Sequence, residues 1–270
     1  MIFLEIKTSK QAIKFARCLK KRKYRELYKN FLIEGVNFVE DALINEAPLD
    51  FVMVAENKLH SQKCKEIMEQ ARLQQLPLFF VKDELLAKIS DTETPQGVLA
   101  VCSMPVWGEE QVIKEGDGLL VALDGLQDPG NLGTIIRSAA GVGVSGVFLG
   151  DGTVDLFNPK VLRATMGAVF RVPVFQQVEL ITLIRKVKEA GFVTIAADPR
   201  ADRKYYHWDF RKGGHLILIG NESRGIRAEL LDLVDLRVRI PLTEGVESLN
   251  AAVAASLILY EIFRQRDPNE

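Results

Sequence analysis

After residue 117 the chain repeats one pattern: a short continuous apolar run, a polar loop and a helical pattern. Continuous apolar runs are typical of strands that helices cover on both faces. Strands that alternate with helices indicate a parallel sheet of the α/β class. Strands are predicted at 118–123, 146–149, 192–197, 215–219 and 236–240. Helices are predicted near 131–142, 160–167, 178–190, 227–233 and 248–265.

The first hundred residues show the same alternation. Strands are predicted at 31–33, 51–55, 78–81 and 97–102, and helices near 36–46, 60–73 and 83–89. Residues 104–117 lack periodicity and contain Pro105, Gly108 and Gly116, which is typical of a linker. The sequence therefore predicts a smaller N-terminal α/β domain over 1–103, a linker over 104–117 and a C-terminal domain over 118–270.

Charge is distributed unevenly along the chain. Residues 1–30 contain ten Lys or Arg and two acidic residues, a net charge of +8, which leaves −9 for residues 31–270. A solvated helix face is the ordinary explanation, but Tyr24 and Tyr28 lie within the cluster, and aromatic rings can stack on bases. We therefore predict a basic N-terminal arm that binds RNA phosphates. The candidate RNA-binding residues are Lys20, Lys21, Arg22 and Lys23.

Composition excludes several classes of protein. No apolar run approaches the length of a membrane span, and the N-terminus lacks a signal-peptide pattern. Cys18, Cys64 and Cys102 are odd in number and far apart, which favours a reducing compartment over a zinc site. The three histidines also lack metal-ligand spacing. We expect a cytoplasmic protein that binds no membrane and no metal.

One short motif suggests a dinucleotide site but stands in the wrong order. Gly-Val-Gly-Val-Ser-Gly at 141–146 matches G-x-G-x-x-G, which binds pyrophosphate only between a preceding strand and a following helix. Here a predicted helix precedes the motif and a predicted strand follows it. Gly141 is therefore expected at the C-cap of that helix, and a nicotinamide enzyme is disfavoured. The absence of G-x-x-x-x-G-K-[ST] excludes a P-loop.

Three polar segments follow apolar runs in the C-terminal half. They are Asn-Leu-Gly-Thr-Ile-Ile-Arg at 131–137, Ile-Gly-Asn-Glu-Ser-Arg-Gly at 219–225, and Ile-Pro at 240–241 continuing to Ser-Leu-Asn-Ala at 248–251. Ligands of open α/β sheets bind beyond the carboxyl ends of the strands, so the segments predict one composite pocket. Asn131 and Ser248 are expected to cap the helices that follow them.

These segments closely resemble the three signature motifs of the SpoU-type RNA ribose methyltransferases of the SPOUT superfamily, in order, separation and sequence. The resemblance covers about residues 118–265. The Phe-Leu-Ile-Glu-Gly segment at 31–35 is similar to the ribosomal-protein-like substrate domain of many family members. The resemblance implies a parallel sheet whose C-terminal chain threads a deep trefoil knot. It also implies a homodimer with its site built across two subunits.

The resemblance further implies that the knot loops bind S-adenosylmethionine, mostly through backbone groups. By motif, Gly220, Ile240 and Leu249 line the adenosine site, and Ala196 and Ala197 lie where another loop contributes.

The implied reaction is an in-line methyl transfer to a ribose 2′-oxygen. Arg137 would activate the hydroxyl, with Asn131, Glu222, Ser248 and Asn250 around it. Arginine is effectively always protonated in proteins, so a literal general-base role requires an unusual environment. Alternatively, an adjacent RNA phosphate accepts the proton and Arg137 stabilises the developing alkoxide. Both alternatives remain open.

The sequence thus predicts an S-adenosylmethionine-dependent 2′-O-ribose methyltransferase acting on RNA. The basic arm and the ribosomal-protein-like domain favour structured large-subunit (23S) rRNA over tRNA, which is the enzymatic alternative. An inactive RNA-binding ribosome-assembly factor is the alternative of another class. The joint presence of the five predicted catalytic residues argues against it.

Overall fold

The computed structural model describes residues 6–92, 94–113 and 116–267. The chain divides into two compact units. The first consists of Met1–Val106 and Phe157–Arg163, and the second of Trp107–Leu156 and Ala164–Glu270.

The first unit is a small α/β structure around a mixed sheet. Its strands are Asn30–Glu34 (β1), Leu49–Ala55 (β2), Leu78–Val81 (β3) and Val98–Ser103 (β4), in the order β1-β4-β2-β3. Strand β4 is antiparallel to β1 and β2, whereas β2 and β3 are parallel. The helices are Ser9–Leu19 (α1), Arg22–Tyr28 (α2), Val36–Ile44 (α3), Gln62–Leu73 (α4) and Asp83–Ala87 (α5). The four strands and three helices that the sequence predicts between residues 31 and 102 are confirmed.

Within the described residues, the basic segment before residue 30 forms the helices α1 and α2. Thr8 and Gln11 form a reciprocal capping box at the start of α1. The side chain of Arg25 is buried and donates to the carbonyl oxygens of Leu19 (2.9 Å) and Lys20 (3.1 Å). One cation of the basic segment is therefore structural, because it satisfies carbonyl groups at the end of α1.

The second unit is built on a fully parallel six-stranded sheet. Its strands are Leu119–Asp124 (β5), Gly146–Gly150 (β6), Val174–Val178 (β7), Val193–Ala197 (β8), His215–Gly220 (β9) and Leu236–Val238 (β10). Their order is β10-β8-β9-β5-β6-β7. The α/β class predicted from the continuous apolar runs is confirmed.

The second unit has helices before, between and after its strands. They are Glu109–Val112 (α6), Pro129–Gly141 (α7), Pro159–Thr165 (α8, whose residues to Arg163 belong to the first unit), Leu180–Glu189 (α9), Ala228–Leu231 (α10) and Ala251–Arg266 (α11). Helix α7 precedes strand β6, so the G-x-G-x-x-G segment is a helix-to-strand turn, as predicted. The predicted C-cap at Gly141 is wrong by one residue: Gly141 is the last residue of the helix and Val142 is the C-cap. Gly143 takes the positive φ of 70° that the turn requires.

Two regions differ from the prediction. Strand β7 was not predicted, because its polar Gln176 and Gln177 interrupt the apolar run at the edge of the sheet. The segment proposed as a linker contains α6, whose Val112 packs into the core of the second unit. The boundary between the units lies at Val106, within the proposed linker.

Candidate active site

A cleft of about 490 Å³ lies in the second unit, beyond the carboxyl ends of β8, β9 and β10. This is the edge where parallel α/β sheets bind ligands, and the volume is in the range of small-molecule sites. The residues that line the cleft are 197–200, 219–226, Leu231, Val238, Ile240, Leu242, 248–251 and Ala254. The second and third predicted segments therefore meet in one pocket.

The loop after β9 closes on itself through Asn221. Its backbone N and O bond the O and N of Gly225, both at 3.0 Å, and its side-chain oxygen accepts from the N–H groups of Ser223 and Arg224. The side-chain amide of Asn221 donates to the carbonyl of Gly125 at 2.7 Å. These bonds hold a tight loop against the end of strand β5.

Gly220 is required by the closure of this loop. A Cβ at position 220 would lie 2.3 Å from the carbonyl carbon of Gly225 and 2.4 Å from the nitrogen of Ile226. Both are backbone atoms and cannot move aside as a flexible side chain would. Gly220 lines the cleft, but the backbone of Gly225 and Ile226, which passes beside it, already excludes any side chain at this position.

The carboxylate of Glu222 joins this loop to the segment before α7. It accepts hydrogen bonds from the backbone N of Gln127 (3.1 Å), the backbone N of Asp128 (2.9 Å) and the side-chain amide of Asn131 (3.0 Å). Burial is the largest influence and would raise the pKa of Glu222. The bonds from Asn131, Asp128 and Gln127 together lower it below 4.5.

Asn131 extends the connection to the third segment. The side-chain amide of Asn250 donates to the side-chain oxygen of Asn131 at 2.8 Å. The oxygen of Asn250 accepts from the N–H groups of Ala252 and Val253 at the start of α11. Asn131, Glu222 and Asn250 thus form one hydrogen-bonded chain, which we call the tri-motif chain, beside the cleft.

Two helix caps differ from the prediction. Asp128 is the N-cap of α7, and Asn131 donates its backbone N–H to it at 2.7 Å. Asn250 is the N-cap of α11, and Ser248 lies two residues earlier, exposed at the cleft. Both predicted caps are therefore wrong by two or three residues. The side chain of Asn131 is consequently free to bond Glu222 and Asn250.

Asp124 was not predicted as a site residue. It ends β5, is 4% exposed, and accepts hydrogen bonds from the backbone N (2.9 Å) and Nε (2.8 Å) of Arg227. This pair holds the chain that follows Gly225 at the end of the sheet. The sequence does contain a signal for this residue: an acidic side chain directly follows a continuous apolar run, so it is expected to be buried and therefore paired.

The residues predicted for the adenosine site separate into two groups. Ile240 and Leu249 line the cleft together with Ala197. Ala196 is fully buried in the hydrophobic core and is not among the lining residues. Asp198 accepts from the backbone N of Arg200 at 3.0 Å, so it forms an Asx turn after β8.

Arg137 lies apart from the cleft of its own chain. It is exposed on α7, it is not among the lining residues, and none of the described residues pairs with its side chain.

The predicted RNA-binding residues lie in the first unit, at the end of α1 and the start of α2. Two of them are paired: Lys20 with Asp91 at 2.9 Å and Arg22 with Glu26 at 2.7 Å. Lys21 and Lys23 are exposed.

Within the described ranges, the His, Cys, Asp and Glu side chains do not form a group of three that could hold a metal ion. No helix in those ranges combines the length and hydropathy of a membrane span.

Comparison with known proteins defines the class of this site. The model of the SpoU rRNA Methylase family matches residues 118–260, and that of the MRM3-like substrate binding domain matches residues 10–100. The 23S rRNA (guanosine(2553)-2′-O)-methyltransferase RlmP of Bacillus subtilis is 34% identical over 253 residues, 93% of this chain and 96% of that protein.

The mitochondrial rRNA methyltransferase 3 of Mus musculus is 33% identical over 92% of this chain and 70% of that protein. The crystal structure of the SpoU methyltransferase AviRb from Streptomyces viridochromogenes, in complex with AdoMet, has a TM-score of 0.83 and 28% identity. It covers 95% of this chain and 98% of that chain.

Fold, site and comparisons together define an S-adenosylmethionine-dependent RNA 2′-O-ribose methyltransferase. The chain belongs to the SpoU rRNA methylase family. The cleft suits the cofactor, because the half-buried apolar residues Ile240, Leu242 and Leu249 offer surface for a base, and the adjoining loops offer polar groups.

Proposed function

We propose that this enzyme methylates a ribose 2′-oxygen of large-subunit rRNA. The tri-motif chain carries this proposal, because all three signature segments are bonded into one arrangement beside the cleft. Two relatives that match more than nine-tenths of this chain are named rRNA methyltransferases. This also favours rRNA over the alternative, tRNA. The inactive assembly factor is disfavoured because the predicted catalytic residues are all present.

Bound S-adenosylmethionine supplies an electrophilic methyl group. Gly220, Ile240 and Leu249 hold the cofactor in the cleft, with Ala197 at the end of β8. In this proposal Glu222 is a positioning residue, because its carboxylate already accepts bonds from Gln127, Asp128 and Asn131.

Arg137 stabilises the charge that develops on the ribose 2′-oxygen, while a neighbouring RNA phosphate oxygen accepts the proton. A permanently protonated guanidinium is suited to this electrostatic role and unsuited to removing a proton. In this proposal Ser248, which is exposed where it lines the cleft, contacts the RNA near the reacting ribose. Asn250 is a positioning residue like Glu222, because its side chain already bonds Asn131 and the start of α11.

The proposed enzyme is a homodimer whose site is completed by Arg137 of a second copy. Arg137 lies outside the cleft of its own chain, which supports this arrangement. Helix α11 packs beside α7 and places an apolar row on its outer face, with side chains 40% to 52% exposed. The row consists of Val253, Leu257, Tyr260 and Phe263. At 100° per residue Val253, Leu257 and Tyr260 share the face of the helix opposite the buried side chains, and Phe263 lies at the edge of that face.

Mixing two inactive variants tests the shared site. Arg137→Ala leaves the cleft intact, and Gly220→Trp destroys the cleft but leaves Arg137 intact. A heterodimer of the two contains one complete site, so co-refolded or co-expressed variants should regain activity. Mixtures that remain inactive, although mass spectrometry shows heterodimers, would contradict the shared site.

Two further family features belong to the proposal. The C-terminal chain, including the cleft loops, follows the trefoil-knotted path of the SPOUT superfamily. The enzyme acts in the cytoplasm, in agreement with three free cysteines, which suit a reducing compartment.

Mapping of 2′-O-methyl groups in rRNA and tRNA, from cells with and without this protein, tests the substrate. One position in large-subunit rRNA should lose its resistance to alkaline cleavage when the protein is absent. Loss of a tRNA methyl group instead would establish the alternative substrate, and unchanged maps would favour the inactive factor.

A further inference from the structure

The outward face of α1 carries a row of exposed cations. The helix buries Ala12, Ala16 and Leu19 against the first unit. The exposed cations are Lys10, Lys14 and Arg17. They follow one another at intervals of four and three residues, and at 100° per residue they lie opposite the buried face.

Of the described residues, none forms an ion pair or hydrogen bond with the side chains of these three cations. The predicted RNA-binding cluster differs in this respect, since Lys20 is paired with Asp91 and Arg22 with Glu26. The charge available to an external partner is therefore greater on α1 than in the cluster that the sequence suggested.

Helix α4 of the same unit shows what an ordinary solvated face looks like. Its exposed side carries both signs, and Lys63 contacts Glu40 at 2.7 Å and Glu66 at 3.9 Å. By contrast, α1 contains no acidic residue, and Lys10 lies in the first turn, where the helix dipole disfavours a cation. A face that carries only positive charge, including a cation that the helix dipole disfavours, is suited to an anionic partner.

We propose that the outward face of α1, formed by Lys10, Lys14 and Arg17, binds the phosphate backbone of the RNA substrate. The row extends about 10 Å along the helix axis and can follow consecutive phosphates of one strand. Lys21 and Lys23 are exposed, and their side chains have no partner among the described residues, so they continue the surface beyond α1. This inference rests on the proposed function, because it assumes an RNA substrate.

The salt dependence of RNA binding tests the surface. A Lys10→Gln, Lys14→Gln, Arg17→Gln variant removes three cations and retains good helix formers. Removing three cations from α4 provides the matched control, with the same change in net charge. The control substitutions are Lys63→Gln, Lys65→Gln and Arg72→Gln, all at exposed positions. Affinity for a large-subunit rRNA transcript is measured by fluorescence anisotropy over a series of KCl concentrations.

Each lost phosphate contact lowers the slope of log K against log salt by roughly 0.7–0.9, so the α1 variant should lose about 2 to 3 in slope and the α4 variant less than 1. The single Lys14→Gln change should give about a third of the full effect. Calorimetry should show that all variants bind S-adenosylmethionine as the wild type does.

Equal slopes for the two triple variants would overturn the assignment of this surface. The wild-type protein is assayed for methylation of the same transcript in parallel. If the wild type methylates the rRNA and the slopes are equal, the surface alone is wrong. If the wild type methylates tRNA and not rRNA, the proposed substrate is wrong, and the slopes on tRNA decide the surface.

Discussion

Gly220 stands where β9 ends and the backbone of Gly225 and Ile226 passes beside it, 2.3 and 2.4 Å from the place of a Cβ. We therefore expect Gly220→Ala to open the loop and to weaken cofactor binding by roughly tenfold or more, equivalent to about 1.4 kcal/mol. Calorimetric titration with S-adenosylmethionine measures this, and the Tm should fall as well.

Gly225→Ala is the matched comparison for Gly220→Ala. Apart from the two chain neighbours, no atom of the described residues lies within 4 Å of a Cβ at position 225, but its φ of +68° is strained for alanine. It should cost about 1 kcal/mol through strain alone. If Gly220→Ala binds the cofactor as the wild type does, loop closure does not shape the cleft.

Glu222 makes a pH-dependent contribution to stability. The pKa of Glu222 is lowered in the folded protein from 4.5, the ordinary value that applies to the unfolded chain. At pH values between these two pKa values the unfolded chain therefore binds more protons than the folded chain. The stabilisation by the carboxylate is complete above pH 4.5 and is lost as the pH falls through the lowered folded value. Glu222→Gln should reduce stability at pH 7 by only about 1 kcal/mol. The loop removes part of the water around the carboxylate, but the residue as a whole is exposed, so solvent screens its interactions.

Denaturant unfolding at several pH values checks this expectation. The difference between the wild type and Glu222→Gln should be constant from pH 7 to about 5 and should shrink below 4.5. The exposed Glu189 on α9 provides the control substitution, and Glu189→Gln should change the free energy of unfolding little. A difference that grows on acidification would contradict the role of the carboxylate.

At the scale of secondary structure, α7 and α11 act as a pair. The hydroxyl groups of Ser138 and Ser256 are 2.7 Å apart, and Ser138 directly follows Arg137 in α7. The apolar row of α11 therefore lies on a helix that is packed against the one carrying the proposed catalytic arginine. An interface formed by this row would place two copies of α7 near each other.

Replacing Leu257 by glutamate introduces a charge into the middle of the apolar row. Leu257→Glu should convert the proposed dimer to a monomer and abolish methyl transfer, because Arg137 of a second copy is no longer supplied. Sedimentation velocity at micromolar concentration and a tritium-transfer assay measure both effects. Ile44→Glu, on the 71% exposed Ile44 of α3, should change neither. A dimeric Leu257→Glu variant would remove this face from the proposed interface.

At the scale of the whole molecule, the cleft and the tri-motif chain both lie in the second unit. A variant that lacks residues 1–103 should therefore bind S-adenosylmethionine and fail to methylate RNA. Its Tm should be lower, because Phe157 packs against Phe31 of the deleted segment at a centroid distance of 4.5 Å. Calorimetry, thermal denaturation and the transfer assay separate these effects.

Full-length Phe157→Leu serves as the control for the deletion, since it weakens the same packing and should retain RNA methylation. A truncated protein that still methylates rRNA at the normal position would show that the first unit does not select the substrate.

The sequence alone determined the α/β class, most of the strands and the three site segments. These are local properties: a continuous apolar run predicts a buried strand wherever it lies, and the motifs are contiguous. The order of the strands in the sheet cannot be predicted from such local patterns. Strand β7 was missed because its glutamines lie at a sheet edge, where a continuous apolar pattern is unnecessary.

Only the tertiary structure decided which side chains meet. Glu222 and Asn131 are 91 residues apart, and Asn250 and Asn131 are 119 apart, so their bonds depend on the sheet order. The same holds for Lys20, whose charge is offset by Asp91. A hydrogen bond or ion pair requires its atoms to lie within a few ångströms, and for residues so distant in the chain that proximity comes from folding alone.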